Sequence, residues 1–131
     1  MSRDRIQSNS GFSEVITRLP EADIPFENAK GWILQAEARQ LLFFEFTPEA
    51  NLPEHSHNYS QWGIVIEGKM ELIVGGKANL YGKGDEYVVP AGAKHRAIFL
   101  AKTRVIDLFS EKTRYEPKKV KLPSKSLTRA V

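Results

Sequence analysis

Short β-prone segments, separated by glycine, proline and other turn residues, make up the central part of the chain. They lie at 31–37, 39–46, 62–66, 69–74, 77–81, 85–89, 94–100 and 104–109, and a β-like piece lies at 14–19, before Pro20. The dipeptide Gly75-Gly76 separates two of them as a two-residue hairpin turn would. Because no stretch shows a convincing helical period, the sequence predicts an all-β antiparallel barrel or sandwich of about nine or ten strands.

The length of 131 residues suits one domain with a real core and is too short for two. We expect this domain at 14–111, with a flexible arm at 1–13 and a basic extension at 112–131. Apolar side chains of the first two segments are expected in the core or the wall of a pocket. These are Trp32, Leu34, Leu42, Phe44 and Phe46.

Charge is concentrated at the carboxyl end. Residues 112–131 hold seven Lys or Arg and one acid (+6), and residues 1–111 hold twelve and fifteen (−3), which together give the net +3. Such a tail can contact anions or nucleic acid. It is also typical of a solvated extension, and its single aromatic residue, Tyr115, and its two prolines favour that alternative. Nucleic acid is therefore not an expected partner.

Cysteine is absent, which excludes disulfides and thiolate ligands. There is no apolar run of about 18 residues, and residues 1–10 are polar and charged rather than a signal-peptide core. We therefore expect a cytoplasmic protein without a membrane partner.

The three histidines of the chain occur in two short segments. His55 and His57 have the same parity in an extended chain and can reach one ion, and Gln61 shares that parity. The third, His95, follows Pro90 and Gly92 in a second segment rich in turn residues. An isolated His-x-His pair is more often structural, but two such segments point to a metal site, since imidazole is the commonest ligand of zinc, nickel, iron and copper.

These residues resemble the two motifs of the cupin superfamily. The first motif has the form G-x5-H-x-H-x(3,4)-E-x6-G, and the matching residues are His55, His57 and Gly68, with Gln61 in place of glutamate. The second has the form G-x5-P-x-G-x2-H-x3-N, and the matching residues are Gly84, Pro90, Gly92 and His95, with Phe99 in place of asparagine. The resemblance implies a small double-stranded β-barrel, jelly-roll-like, with a metal inside one mouth. It also implies a homodimer that covers the sheet edges, with amino-terminal strands crossing to the neighbour.

Glutamine in place of the usual glutamate bears on the chemistry. Four neutral ligands, His55, His57, Gln61 and His95, would leave one divalent ion (nickel, zinc, manganese or iron) with its full charge. That favours Lewis-acid work over oxygen chemistry. Isomerase, cyclase or lyase chemistry is therefore preferred to a dioxygenase reaction.

A second group of polar residues ends the last segment, where Asp107 and Phe109 share a face and Arg114 follows. If that face is inward, Asp107 can act as general acid or base, Phe109 can stack on a ring and Arg114 can clamp a carboxylate. The alternative is that Ile106 and Leu108 face inward and Asp107 is solvated.

This ending, together with a glutamine ligand, resembles a cupin subgroup that linearises 4,5-unsaturated uronates from pectin or alginate. That resemblance implies that His55, His57, Gln61 and His95 bind the metal. It also implies that Asp107, Phe109 and Arg114 are catalytic or substrate groups. Glutamine-ligated cupins also occur among polyketide cyclases, so the substrate stays open.

Three functions are therefore considered. The first is a metal-dependent, non-redox isomerase or ring-opening enzyme acting on a small oxygenated, carbohydrate-like acid. The second is a non-catalytic cupin that binds a small ligand or sugar, and the third is a metal-dependent dioxygenase.

Overall fold

The computed structural model describes residues 11–119. Within that range the chain forms one short helix and nine strands, and the predicted all-β fold is confirmed. The elements are α1 (Glu14–Thr17), β1 (Ala29–Gln35), β2 (Gln40–Phe46), β3 (Asn51–His55), β4 (Gln61–Glu67), β5 (Lys69–Val74), β6 (Lys77–Gly82), β7 (Glu86–Val89), β8 (His95–Phe99) and β9 (Thr103–Phe109).

Two antiparallel sheets face each other. One has the strand order β1-β2-β9-β4-β7, and the other has the order β3-β8-β5-β6. The predicted hairpin joins β5 to β6, because Val74 pairs with Lys77 and both intervening glycines have positive φ angles of 58° and 83°.

Alternation along the strands decides which side chains lie between the sheets. On β9 the buried residues are Thr103, Val105, Asp107 and Phe109, and those between them are less buried. The inward face of β2 supplies Leu42, Phe44 and Phe46 to the core, as predicted.

The prediction that Leu34 belongs to the core is wrong, because Leu34 is 48% exposed. It pairs with Leu41, while Ile33 pairs with the inward-facing Leu42, so Leu34 lies on the outer face of the sheet. Trp32 is buried as expected, but on this outer face, where Phe12 covers it.

The β-like piece predicted at 14–19 is also wrong, since Glu14–Thr17 is helical. The prediction followed the strand propensity of the β-branched residues Val15, Ile16 and Thr17. In the structure, packing against the neighbouring sheet outweighs that propensity. A helical turn places Phe12, Ile16 and Leu19, spaced i, i+4 and i+7, against the Trp32 cluster.

Packed structure extends past both boundaries expected for the domain. Phe12, in the expected amino-terminal arm, is 6% exposed and contacts Trp32 and Phe43 edge-to-face. In the expected extension, Tyr115 is buried and Pro117 forms a bridge with Ala22. Residues 1–10 and 120–131, which hold the rest of the arm and of the basic extension, lie outside the described residues. No helix within 11–119 is long and apolar enough to cross a membrane.

Replacing Phe12 by alanine is expected to lower the free energy of unfolding by about 3 kcal/mol, as for other buried aromatic residues. Val15→Ala is the matched control, since Val15 is 79% exposed, and it should change stability by less than about 0.5 kcal/mol. Urea unfolding followed by tryptophan fluorescence measures both. Equal midpoints for the two variants would contradict the packing described for Phe12.

Candidate metal centre and active site

The three histidines meet at one end of the space between the sheets. His55 is the last residue of β3 and pairs with His95, the first residue of β8. His57 lies in the loop that follows β3, and the chain bends at Asn58 and Tyr59, so the extended strand assumed in the parity argument ends at His55. One ring nitrogen from each histidine lies within 4.8 Å of the others. Such a cluster can hold a metal ion.

Hydrogen bonds fix the orientation of each imidazole. The Nδ1 atoms of His55, His57 and His95 lie 3.0, 2.8 and 3.0 Å from the carbonyl oxygens of Pro53, Tyr59 and Ala93, respectively. A carbonyl can only accept, so each Nδ1 carries the proton and each Nε2 carries a free lone pair. This is the arrangement that metal-binding histidines use, with a backbone carbonyl setting the tautomer.

Gln61 brings an amide oxygen to the same cluster. It is the first residue of β4 and is buried, and its Oε1 atom lies 3.2 Å from Nε2 of His57. With the proton of His57 on Nδ1, both atoms present lone pairs. Two acceptors facing each other at this distance fit a shared cation. The donor set of three imidazoles and one amide oxygen therefore suits a divalent transition metal.

Burial keeps two of the histidines neutral. It lowers the pKa of His95 to about 4, opposed by the hydrogen bond to the carbonyl oxygen of Ala93 and reinforced by the nearby side chains of His55, His57 and Arg114. The pKa of His55 is lowered in the same direction, again mainly by burial. Both rings are therefore ready to bind a cation at neutral pH.

Asp107 faces inward, which decides between the two orientations considered from sequence. Its side chain is 5% exposed, and Oδ1 accepts a hydrogen bond of 2.6 Å from the hydroxyl of Tyr87. Burial raises the pKa of Asp107 to about 7, although hydrogen bonds from Tyr87 and Gln61 oppose the shift. A carboxyl group with such a pKa can give and take a proton near neutral pH.

Gly63 provides the room for this pair. It lies opposite Asp107 on β9 and Tyr87 on β7. A Cβ atom at position 63 would lie 2.1 Å from Oδ1 of Asp107 and 2.3 Å from Cζ of Tyr87. Any side chain here would displace the carboxyl, so a glycine is required by close approach rather than by a turn.

Phe109 and Arg114 lie beside the cluster. The Phe109 ring is 6.1 Å from the His57 ring, and Cζ of Arg114 lies 5.7 Å from the centre of the Phe109 ring and 4.6 Å from that of Tyr115. Among the described residues, Nε of Arg114 is buried without a hydrogen-bond partner. The guanidinium is therefore held by aromatic faces and keeps donors for an anion.

A cavity of about 360 Å³ joins these groups. Its wall includes all seven residues singled out from the sequence: His55, His57, Gln61, His95, Asp107, Phe109 and Arg114. Most of the remaining wall is apolar.

Sequence reasoning missed Tyr87 and Gly63. Both had a signal. A lone glycine inside an otherwise apolar strand indicates close approach of another group. Tyr87 alternates with Val89 on a short strand, and both are buried.

A family model described as a cupin domain matches residues 42–109, about half of the chain. A search of curated proteins found no significant match.

Solved structures resemble the chain more broadly. KdgF from Halomonas sp. is 25% identical, with a TM-score of 0.64, covering 71% of this chain and 88% of that one. An RmlC-like cupin from Shewanella frigidimarina is also 25% identical, with a TM-score of 0.67 and coverages of 82% and 96%. The polyketide cyclase RemF from Streptomyces resistomycificus, at 19% identity, has a TM-score of 0.65 and coverages of 88% and 90%, and this likeness shows the fold alone.

Proposed function

The chain belongs to the cupin superfamily, and from this premise we propose that it is a metal-dependent, non-redox enzyme acting on a small oxygenated acid. The reaction would be an isomerisation, ring opening or cyclisation. One observation carries the proposal: the buried Asp107 lines the same cavity as His55, His57, Gln61 and His95. An acid–base group thus adjoins the candidate metal ligands.

The residues that would hold the ion are His55, His57, Gln61 and His95. When bound there, a divalent cation with neutral ligands supplies Lewis-acid polarisation of a substrate oxygen.

Side chains of the protein itself transfer the proton and bind the substrate. Asp107 takes a proton from one substrate atom and returns it to another, so the reaction needs no electron acceptor. Tyr87 orients the carboxyl through Oδ1. Arg114 binds a substrate carboxylate, and Phe109 packs against the substrate body.

An activity screen tests this proposal. Metal-loaded protein is incubated with hydroxy acids, beginning with the 4,5-unsaturated uronates that the motifs suggest, and substrate loss is followed by NMR with an oxygen electrode alongside. Turnover should proceed without oxygen uptake and fall by about 100-fold or more in Asp107→Asn, with the metal content unchanged. Oxygen consumed in step with substrate would favour the dioxygenase, and full activity of Asp107→Asn would contradict the role of Asp107.

A ligand-binding cupin without catalysis is the second candidate. The mostly apolar wall of the cavity supports this candidate. Apolar side chains can hold a ligand by burying its surface, but they carry no group that could act as an acid, a base or a nucleophile. Tight binding of a hydroxy acid that is never converted would support this alternative.

A cytoplasmic location of the protein stays a prediction.

We also propose a homodimer. An apolar row crosses the outer face of the five-stranded sheet, with each residue paired to the next: Leu34, Leu41, Leu108, Trp62 and Val88. Leu34, Trp62 and Val88 are 48%, 44% and 50% exposed. A second copy would remove this surface from water.

Trp62→Glu is therefore expected to convert a dimer to a monomer in light scattering. Leu80→Glu is the control, since Leu80 is 58% exposed on the other sheet, and it should leave the mass unchanged. A wild-type protein with the mass of one chain would overturn the dimer.

A further inference from the structure

The cavity is polar at one end only. On β8 the inward residues run from His95 through Ala97 to Phe99, and on β9 they run from Asp107 to Val105. Beyond His95 on β8, and beyond Asp107 on β9, the next inward residues are therefore apolar.

The neighbouring strands continue the apolar wall. Leu72 pairs with Ala97, and Met70 pairs with Phe99. Phe44, from the facing sheet, lies opposite Val105 on β9. All of these residues line the cavity. The wall beyond the histidines therefore offers hydrocarbon and aromatic surface to whatever enters.

This composition discriminates between ligands. A sugar acid carries a hydroxyl on most carbons, and burying a hydroxyl without a hydrogen-bond partner is unfavourable. Burying hydrocarbon against the same apolar wall is favourable, because it removes apolar surface from water. An apolar cavity of about 150 Å³ is enough for a benzene ring, so about 360 Å³ leaves room for one or two rings and a polar head.

Resting on the proposed function, we propose that the ligand is an amphiphilic acid with an apolar, ring-containing body. Its carboxylate and a neighbouring oxygen lie at the polar end, between Arg114 and the histidines. Its body lies against Leu72, Ala97 and Phe44. Among the reactions proposed above, this favours cyclisation or isomerisation of an apolar hydroxy acid over ring opening of a uronate.

Calorimetry on the metal-loaded protein tests the proposal with two probes that share a carboxylate and hydroxyl oxygens. These are 1-hydroxy-2-naphthoate and D-galacturonate. The naphthoate should bind about ten-fold or more tightly than the galacturonate. Equal binding, or tighter binding of the galacturonate, would overturn the proposal.

A substitution at Ala97 tests whether the naphthoate binds at the apolar end of the cavity. Ala97→Leu fills the apolar end and should weaken the naphthoate about ten-fold while leaving the metal content unchanged. Ala97→Val adds only two methyl groups and serves if Ala97→Leu does not fold. Unchanged naphthoate affinity in the folded variant would place the naphthoate elsewhere and overturn the proposal.

The metal content of the same samples distinguishes failure of the proposed ligand class from failure of the proposed metal-dependent enzyme. Protein that carries metal but binds neither probe would overturn the ligand class and leave the metal-dependent enzyme standing. Protein that carries no metal yet binds the naphthoate, with the loss in the Ala97 variant, would overturn the enzyme and support the ligand class.

Discussion

Gly63→Ala is expected to lower the free energy of unfolding by about 3 kcal/mol or more, the upper end for overpacking a core. The new Cβ would lie 2.1 Å from Oδ1 of Asp107 and 2.3 Å from Cζ of Tyr87. Neither group can yield at low cost, because both side chains are buried and hydrogen-bonded to each other. Urea unfolding measures the loss.

Gly82→Ala is the matched control for this change. Gly82 also lies in a strand, but a Cβ there would meet its nearest atoms only at 3.9 and 4.0 Å. Its stability should stay within about 0.5 kcal/mol of the wild type. Similar unfolding midpoints for the two alanine variants would show that the Tyr87–Asp107 pair does not need the space at position 63.

Asp107→Asn is expected to become more stable than the wild type as the pH rises. The folded-state pKa of Asp107 is raised from 3.8 to about 7, so folding favours the protonated carboxyl. The stability that this protonation contributes is present below pH 3.8 and is lost as the pH rises through about 7. The shift corresponds to about 4 kcal/mol.

Denaturant unfolding of both proteins at pH 5 and pH 9, with a chelator present, measures the effect. Subtracting the variant from the wild type removes the contributions of other groups, such as His55 and His95. Between the two pH values the free energy of unfolding of the wild type should fall by about 3 kcal/mol relative to that of Asp107→Asn. A difference that stays constant with pH would mean that Asp107 ionises in the folded protein as it does in the unfolded chain.

The histidine cluster could be predicted from the sequence because motif spacing carries the information. The resemblance of the His-x-His pair and of the turn residues around His95 to the two cupin motifs implies that two separate segments meet at one end of a barrel. The local conformation could not be predicted in the same way. Spacing does not reveal that the chain leaves β3 at His55 and that Gln61 begins a strand of the other sheet.

The orientation of Asp107 could not be decided from its own strand. Alternation says that Asp107 and Phe109 share a face, but it does not say which face is inward. The decision comes from long-range pairing, because Asp107 lies opposite Gly63 and Leu42. Gly63 alone could have shown that one interior position is kept free for a neighbouring side chain.

The helix was missed for a related reason. Val15, Ile16 and Thr17 favour strands by propensity, whereas the surface that Ile16 covers is built by Trp32 and Phe43 from distant parts of the chain. Only the spacing of Phe12, Ile16 and Leu19 carried the helical signal, and it spans barely two turns.

Metal analysis by mass spectrometry, on purified wild type and His57→Ala after exposure to nickel, zinc, manganese and iron, tests the central claim most directly. We predict about one equivalent of metal per wild-type chain and little in His57→Ala, with the circular dichroism of both proteins unchanged. Ser56→Ala, which changes the exposed residue between His55 and His57, should keep its metal. Wild type without metal, or His57→Ala with as much as wild type, would contradict the account.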